Sequence, residues 1–164
     1  YIDKKVDKSL LDEMLSAANL APSWKNSQTP RFYVATGEKS KNAVREALPE
    51  FNRKNSENAS AYIVTTVVLN RSGFDKDGTA VTEIGNGWAY YDLGLNNMAL
   101  LLKATELGIS TLVMGIRDGE KLRKEFDIPE TEAVVSVIAV GYTDSEIVRP
   151  KRKSLEDFAK FYEE

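Results

Sequence analysis

Between Trp88 and Leu107 the chain runs without a proline, and its apolar residues are not confined to one side of the helix they would form. Trp88, Tyr91, Leu95, Met98 and Leu102 recur at three- and four-residue spacing, while Ala89, Leu93, Leu100, Leu101 and Ala104 lie around the other sides. A helix that is apolar on most sides is expected to be buried on most sides, so the rest of the chain has to cover it. Gly94 inside it costs about 1 kcal/mol relative to Ala, tolerable where another backbone must come close. The runs Ala61 to Leu69 and Val134 to Val140 read as buried strands, and Arg31 to Ala35 and Ser110 to Met114 as shorter ones. Further helices are expected from an Asp7 cap to about Ala21, from Lys41 to Leu48, and from an Asp118 cap to Phe126. The polar stretch from Pro49 through Asn58 and the stretch from Arg71 to Gly78 read as loops. Helices alternating with strands predict an α+β fold, a mixed sheet flanked by helices, in one domain spanning residues 1–164. The charged tail from Thr143 to Glu164 ends in a short amphipathic helix around Leu155, Phe158 and Phe161, whose apolar residues should dock on something, a second subunit included.

Composition narrows the chemistry. The 164 residues carry a formal net charge of -3, which gives no basic field to attract nucleic acid or an anionic membrane. No apolar run approaches the ~20 residues of a membrane helix and no signal peptide opens the chain, so a cytoplasmic protein is expected. The first residue is Tyr1 rather than Met, so a segment upstream of it is expected as well. Neither Cys nor His occurs, which removes thiolate nucleophiles, imidazole bases and soft-ligand zinc sites. An enzyme built this way would lean on a borrowed cofactor, and a protein without catalysis would need none.

Three segments could hold one. Pro22-Ser23-Trp24-Lys25-Asn26-Ser27-Gln28 places hydroxyl, amide and aromatic groups together between a helix and a strand, suited to a heteroaromatic ligand, though chemistry alone favours a turn whose Ser and Asn satisfy local backbone groups. Leu112-Val113-Met114-Gly115-Ile116 is a strand end running into glycine, where backbone N–H groups can face a ligand or the chain can simply turn. Arg149 to Lys153 is a basic cluster suited to a phosphate or to solvent. Gly85-Asn86-Gly87 lacks the third glycine and the preceding strand of a dinucleotide fingerprint, and the acidic residues show no metal-binding spacing.

In order along the chain, these segments resemble the nitroreductase-like flavoproteins. The match runs through LDEMLSAANLAPSWKNSQTPRF with its PSxxNxQ loop, Asn52 seven residues before Ala59, LGLNNMALLLKATELGIS, LVMGI, and GY followed by RPKRKSLED. The resemblance implies FMN as cofactor and NAD(P)H as electron donor. It implies a homodimer with the flavin site at the interface, and a two-step mechanism that delivers electrons to nitroaromatics, quinones or similar small acceptors without a catalytic side chain. Pro22, Ser23, Trp24 and Asn26 would lie against the flavin held mainly by the other subunit, and Asn52 would hydrogen-bond its pyrimidine edge. The segment of Val113, Met114 and Gly115 would turn its last two N–H groups toward N5 and O4, and Arg152 would pair with the phosphate. The resemblance also places the Trp88 to Leu107 helix at the dimer core. Two departures stand out: Thr29-Pro30 replaces a Pro-Trp pair after the loop, and the family's basic RRSxR segment would precede Tyr1. The chain from Tyr1 is therefore expected to hold FMN weakly and salt-sensitively. A flavin-binding or flavin-less protein without turnover, on the same scaffold, is the alternative.

Overall fold

In the computed structural model, which describes residues 1–146 and 148–163, the apolar run after Ser60 turns successive side chains to opposite sides of a sheet. Ala61 and Ile63 face one way and Tyr62 and Val64 the other, all four fully buried, as expected of a strand covered on both faces. This strand, β2 (Ala61–Val68), pairs with β1 (Pro30–Ala35) and with β4 (Glu132–Gly141), and β4 pairs with β3 (Ser110–Met114), giving the order β1-β2-β4-β3. The α+β domain is as expected, but every pairing is antiparallel, so the sheet is not mixed. Alternation of helix and strand fixes where the connections lie and leaves strand direction open. β2 and β3 do run the same way, but β4 inserts between them and opposes both.

Each face of the sheet carries a layer of helices. On one face Ile63, Ile138 and Val140 meet Leu11, Met14 and Ala18 of α1 (Lys8–Asn19) and Leu100 and Ala104 of α4 (Gly87–Glu106). On the other, Tyr62, Val64, Val137 and Ala139 meet Val44 of α2 (Glu38–Glu46) and Leu122 of α5 (Gly119–Glu125). Full burial of such a Leu, Ile, Val or Met side chain contributes about 1.5–3 kcal/mol, which fixes both layers on the sheet.

Local differences have local causes. Asp7 occupies the N-cap of α1, yet its side chain accepts no capping bond, since this helix end is exposed and water can serve its amides. Asp118 does cap α5, accepting from Lys121 N at 3.0 Å. The segment after Pro49, expected as loop, is the helix α3 (Glu50–Asn55). Pro49 sets its entry, Glu50 and the pair Arg53 and Lys54 complement its dipole, and Asn52 and Ser56 turn inward.

The helix expected to be buried on most sides is buried on one. Ala89, Asp92, Leu93, Asn96, Leu100 and Ala104 of α4 face inward, whereas Tyr91, Met98 and Leu102 remain 59%, 50% and 59% exposed. Gly94 lies on the same outer stripe, and a Cβ there would meet nothing within 4 Å. Of the expected tail, positions 147 and 164 lie outside the described residues. Its helix is the short α6 (Leu155–Phe158), with Phe161 beyond the helix end, and Phe158, Phe161 and Tyr162 are exposed. No helix among the described residues is long and apolar enough to cross a membrane.

Candidate functional site

The end of β3 is held more firmly than an edge strand requires. Val113 is exposed and Met114 buried, and Gly115 and Ile116 then leave the sheet edge exposed. Asn52 of α3 donates its Nδ2–H to the Ile116 carbonyl at 3.1 Å. Arg117 donates Nη1–H to the Gly115 carbonyl at 3.2 Å and Nη2–H to the Val134 carbonyl. Asp118 N–H donates to the Ala47 carbonyl at 2.7 Å. Behind it, Lys121 Nζ bonds the Glu46 carboxylate at 2.8 Å and holds that carboxyl below its usual range, joining α5 to α2. With the carbonyls of Gly115 and Ile116 tied down, the peptide planes at the strand end cannot rotate freely. A Cβ at Gly115 would meet nothing within 4 Å, so a flat ligand can come close to this backbone.

The second cluster is the loop from Pro22 to Gln28. Its centre is a 3-10 turn, Trp24–Asn26, and Lys25, Asn26 and Gln28 have φ of 45°, 55° and 48°. Each such left-handed non-glycine residue costs on the order of 1–3 kcal/mol and persists only where neighbours enforce it. Here Ser23 Oγ accepts from Gln28 N at 2.9 Å, and the Trp24 N–H reaches both carboxylate oxygens of Asp92 at 3.1 Å. The Trp24 ring lies 4.6 Å from that of Trp88, which meets Tyr91 edge-on at 5.7 Å. Beside the loop is a concavity of about 390 Å³, bordered by Ser23, Asn26, Ser27, Arg31, Arg71 and Asn96. Trp24 Nε1 and Ser27 Oγ in the loop and Thr29 Oγ1 just beyond it are buried with no hydrogen-bond partner among the described residues, an unusual concentration for so short a stretch.

The structure therefore brings Asn52, Val113, Met114 and Gly115 together at one sheet edge, and Pro22, Ser23, Trp24 and Asn26 together against α4. Among the described residues no hydrogen bond or ring contact joins the two groups. Arg152 joins neither: it is exposed in the tail, and among the described residues its guanidinium donates to the Pro150 carbonyl alone, at 3.4 Å. The larger groove, about 1440 Å³ between the N-terminal segment, α2 and α3, is lined by none of these nine residues and mixes acids with bases. Asp92, Ser72 and Arg117 escaped the sequence reading. Asp92 had a signal, as the one charged residue between Trp88 and Leu102.

A family model described as the nitroreductase family matches residues 1–142. The chain belongs to the nitroreductase family. Its relatives include a protein of Archaeoglobus fulgidus provisionally named NADH dehydrogenase/NAD(P)H nitroreductase, 27% identical over 89% of this chain and 79% of that one. A nitroreductase family protein of Streptococcus pneumoniae shares the fold at a TM-score of 0.83 and 21% identity, over 99% of this chain and 93% of that chain. A structure described as an oxidoreductase containing FMN matches at a TM-score of 0.75 and 25% identity, over 87% of this chain and 70% of that chain. The residues of this member of the nitroreductase family fit such a group. The open backbone at Gly115 admits a planar ring, the Asn52 amide has capacity beyond its single bond to Ile116, and the loop carries unpaired buried polar atoms beside an aromatic pair.

Proposed function

We propose that this nitroreductase family protein is an FMN-dependent oxidoreductase that takes electrons from NAD(P)H and passes them to nitroaromatics, quinones or similar small acceptors. It works as a homodimer with the flavin between protomers. One observation carries the reading: the two halves of the expected site stand apart in one chain, and the outer stripe of α4, the helix that holds the loop, is apolar and uncovered. A second copy packed on that stripe sets one chain's loop against the other chain's strand end.

FMN, when bound, supplies the reversible two-electron chemistry that this chain's side chains lack. Asn52 holds the pyrimidine edge with the oxygen and remaining amide hydrogen that Ile116 does not use. The amides of Met114 and Gly115 supply fixed dipoles where negative charge collects, with Val113 forming the strand beneath them. Pro22 and Trp24 from the facing chain cover the ring and exclude water, while Ser23 and Asn26 bring polar atoms to its rim. Arg152, flanked by Lys151 and Lys153, supplies cations for the phosphate. The same reading places the protein in the cytoplasm, where reduced nicotinamide is at hand. Purified protein dialysed against FMN should turn yellow, bleach on addition of NADH or NADPH, and reduce a nitroaromatic in steady state. No change in the FMN absorbance spectrum on titrating the protein with excess FMN at low salt sinks the flavin reading; bound flavin that neither nicotinamide bleaches favours the protein without turnover.

A further inference from the structure

Asp92 lies one turn along α4 from Trp88 and is 2% exposed. Its carboxylate has no lysine or arginine within ion-pair distance among the described residues. It accepts instead from the backbone N–H of Trp24, at 3.1 Å to each oxygen, and from the hydroxyl of Ser72 at 2.6 Å. Asn96, one turn further on, donates its amide to the Asp92 carbonyl at 3.1 Å. Burying a carboxylate without a cation is costly, and an Ala, Leu or Met would pack this apolar helix more cheaply. The acid is therefore best explained by the atoms it grips.

Those atoms belong to two separate segments, which the one carboxylate ties to α4 and to each other. Trp24 begins the run whose backbone is left-handed at Lys25, Asn26 and Gln28, and Ser72 lies in the turn after β2. Trp88 and Asp92 stand on one side of α4 and grip the loop through Trp24, one by the ring and the other by the backbone. An unrestrained loop of this sequence would relax toward ordinary φ values and take Pro22, Ser23 and Asn26 with it.

We propose that Asp92 is a positioning residue: by holding the Trp24 N–H it fixes the strained Trp24 to Gln28 loop in the shape in which that loop covers the flavin. The assignment rests on the flavin reading above. It also ties the loop to the helix that bears the uncovered apolar stripe, so that one element sets both subunit packing and flavin cover.

Trypsin cleavage after Lys25, whose side chain is 65% exposed, reports the loop without any flavin. Asp92→Ala should speed that cut at least fivefold relative to cuts elsewhere in the chain. It should also raise the FMN dissociation constant about tenfold and restore flavin fluorescence that stacking on Trp24 quenches. Asp92→Asn keeps one acceptor, Oδ1, for the Trp24 N–H but sets its Nδ2–H donors where the second oxygen accepted, so all three readouts should fall between those of wild type and Asp92→Ala. Should Asp92→Ala fail to fold, Ser72→Ala removes only the 2.6 Å bond. Hydrogen exchange of the Trp24 amide should then run at least fivefold faster than in wild type. Faster cleavage at Lys25 in Asp92→Ala, when the wild-type chain binds no FMN, would support the anchor and sink the flavin reading. Unchanged cleavage and unchanged Trp24 exchange, with FMN bound, would overturn the anchor and leave that reading in place.

Discussion

Tyr33 and Glu132 show how far a single pair of residues can be taken. Glu132 is 6% exposed and its carboxylate accepts from Thr66 Oγ1 at 2.5 Å and from the Tyr33 hydroxyl at 3.0 Å. Burial first, and then the bond to Glu132, push the Tyr33 phenol up to about 12. A group whose value is raised on folding stabilises the fold fully below its unfolded value, near 10 for tyrosine, and loses that contribution as pH rises through the folded value. An ultraviolet titration should therefore show Tyr33 ionising well above pH 10, with stability falling between about 10 and 12. Tyr33→Phe should lessen that pH dependence, leaving the part due to Tyr1, whose phenol burial also pushes up, and cost about 1–2 kcal/mol, the penalty of leaving part of a buried carboxylate unpaired. An unchanged urea midpoint would show that the pair contributes nothing net. Asn52 differs, because its amide serves two masters: the Ile116 carbonyl and, in the proposed site, the flavin. Asn52→Leu should weaken FMN binding by about 1–3 kcal/mol, and a titration showing wild-type affinity would remove Asn52 from the site. The resemblance in the sequence singled out this residue. Its bond to Ile116, 64 residues away, was not legible, since nothing local records which carbonyl a folded amide will meet.

At the scale of elements, what could be read was what periodicity dictates. All four strands were found within a residue or two, because β-branched runs bounded by Gly, Pro and charge admit few other readings. Helix α3 was missed because six residues with one buried Asn make no repeating apolar stripe. The direction of the strands was missed for another reason: β4 enters between β2 and β3 from later in the chain, and order along a sequence does not record insertion in space. The loop at Pro22 to Gln28 was recognised by its composition, yet its left-handed backbone was not, since Lys25 and Gln28 carry no preference for such φ values. Tertiary contacts with Asp92 and Trp88 impose it, which is why the anchor became visible only once the helix and the loop stood side by side.

For the whole molecule, the excess of apolar surface on α4 has to be accounted for. Tyr91, Gly94, Met98 and Leu102 form a continuous outer stripe on α4, and Leu155, Phe158, Phe161 and Tyr162 add exposed apolar surface in the tail. Monomeric proteins seldom leave contiguous apolar patches of more than a few hundred Å² in water, whereas obligate dimers commonly bury over ~2,000 Å² in this way. Gly94 at the middle of the stripe, with open space where a Cβ would stand, lets a second helix approach the backbone closely, which offsets what glycine costs the helix. The expected state is a homodimer at micromolar concentration. Met98 is the residue to test it with, because it is half exposed and stands apart from the three buried clusters of the protomer. Met98→Glu disturbs no buried cluster of the protomer, where a surface substitution costs about 0.5 kcal/mol or less, so any larger fall in the melting temperature reports the lost interface. In the dimer it would bury two like charges near each other, so sedimentation should show monomer and FMN should be lost with the interface. A Met98→Glu protein that still sediments as a dimer with wild-type FMN affinity would place the subunit contact elsewhere. The two clusters, at Gly115 and at Trp24, would then need another way to meet.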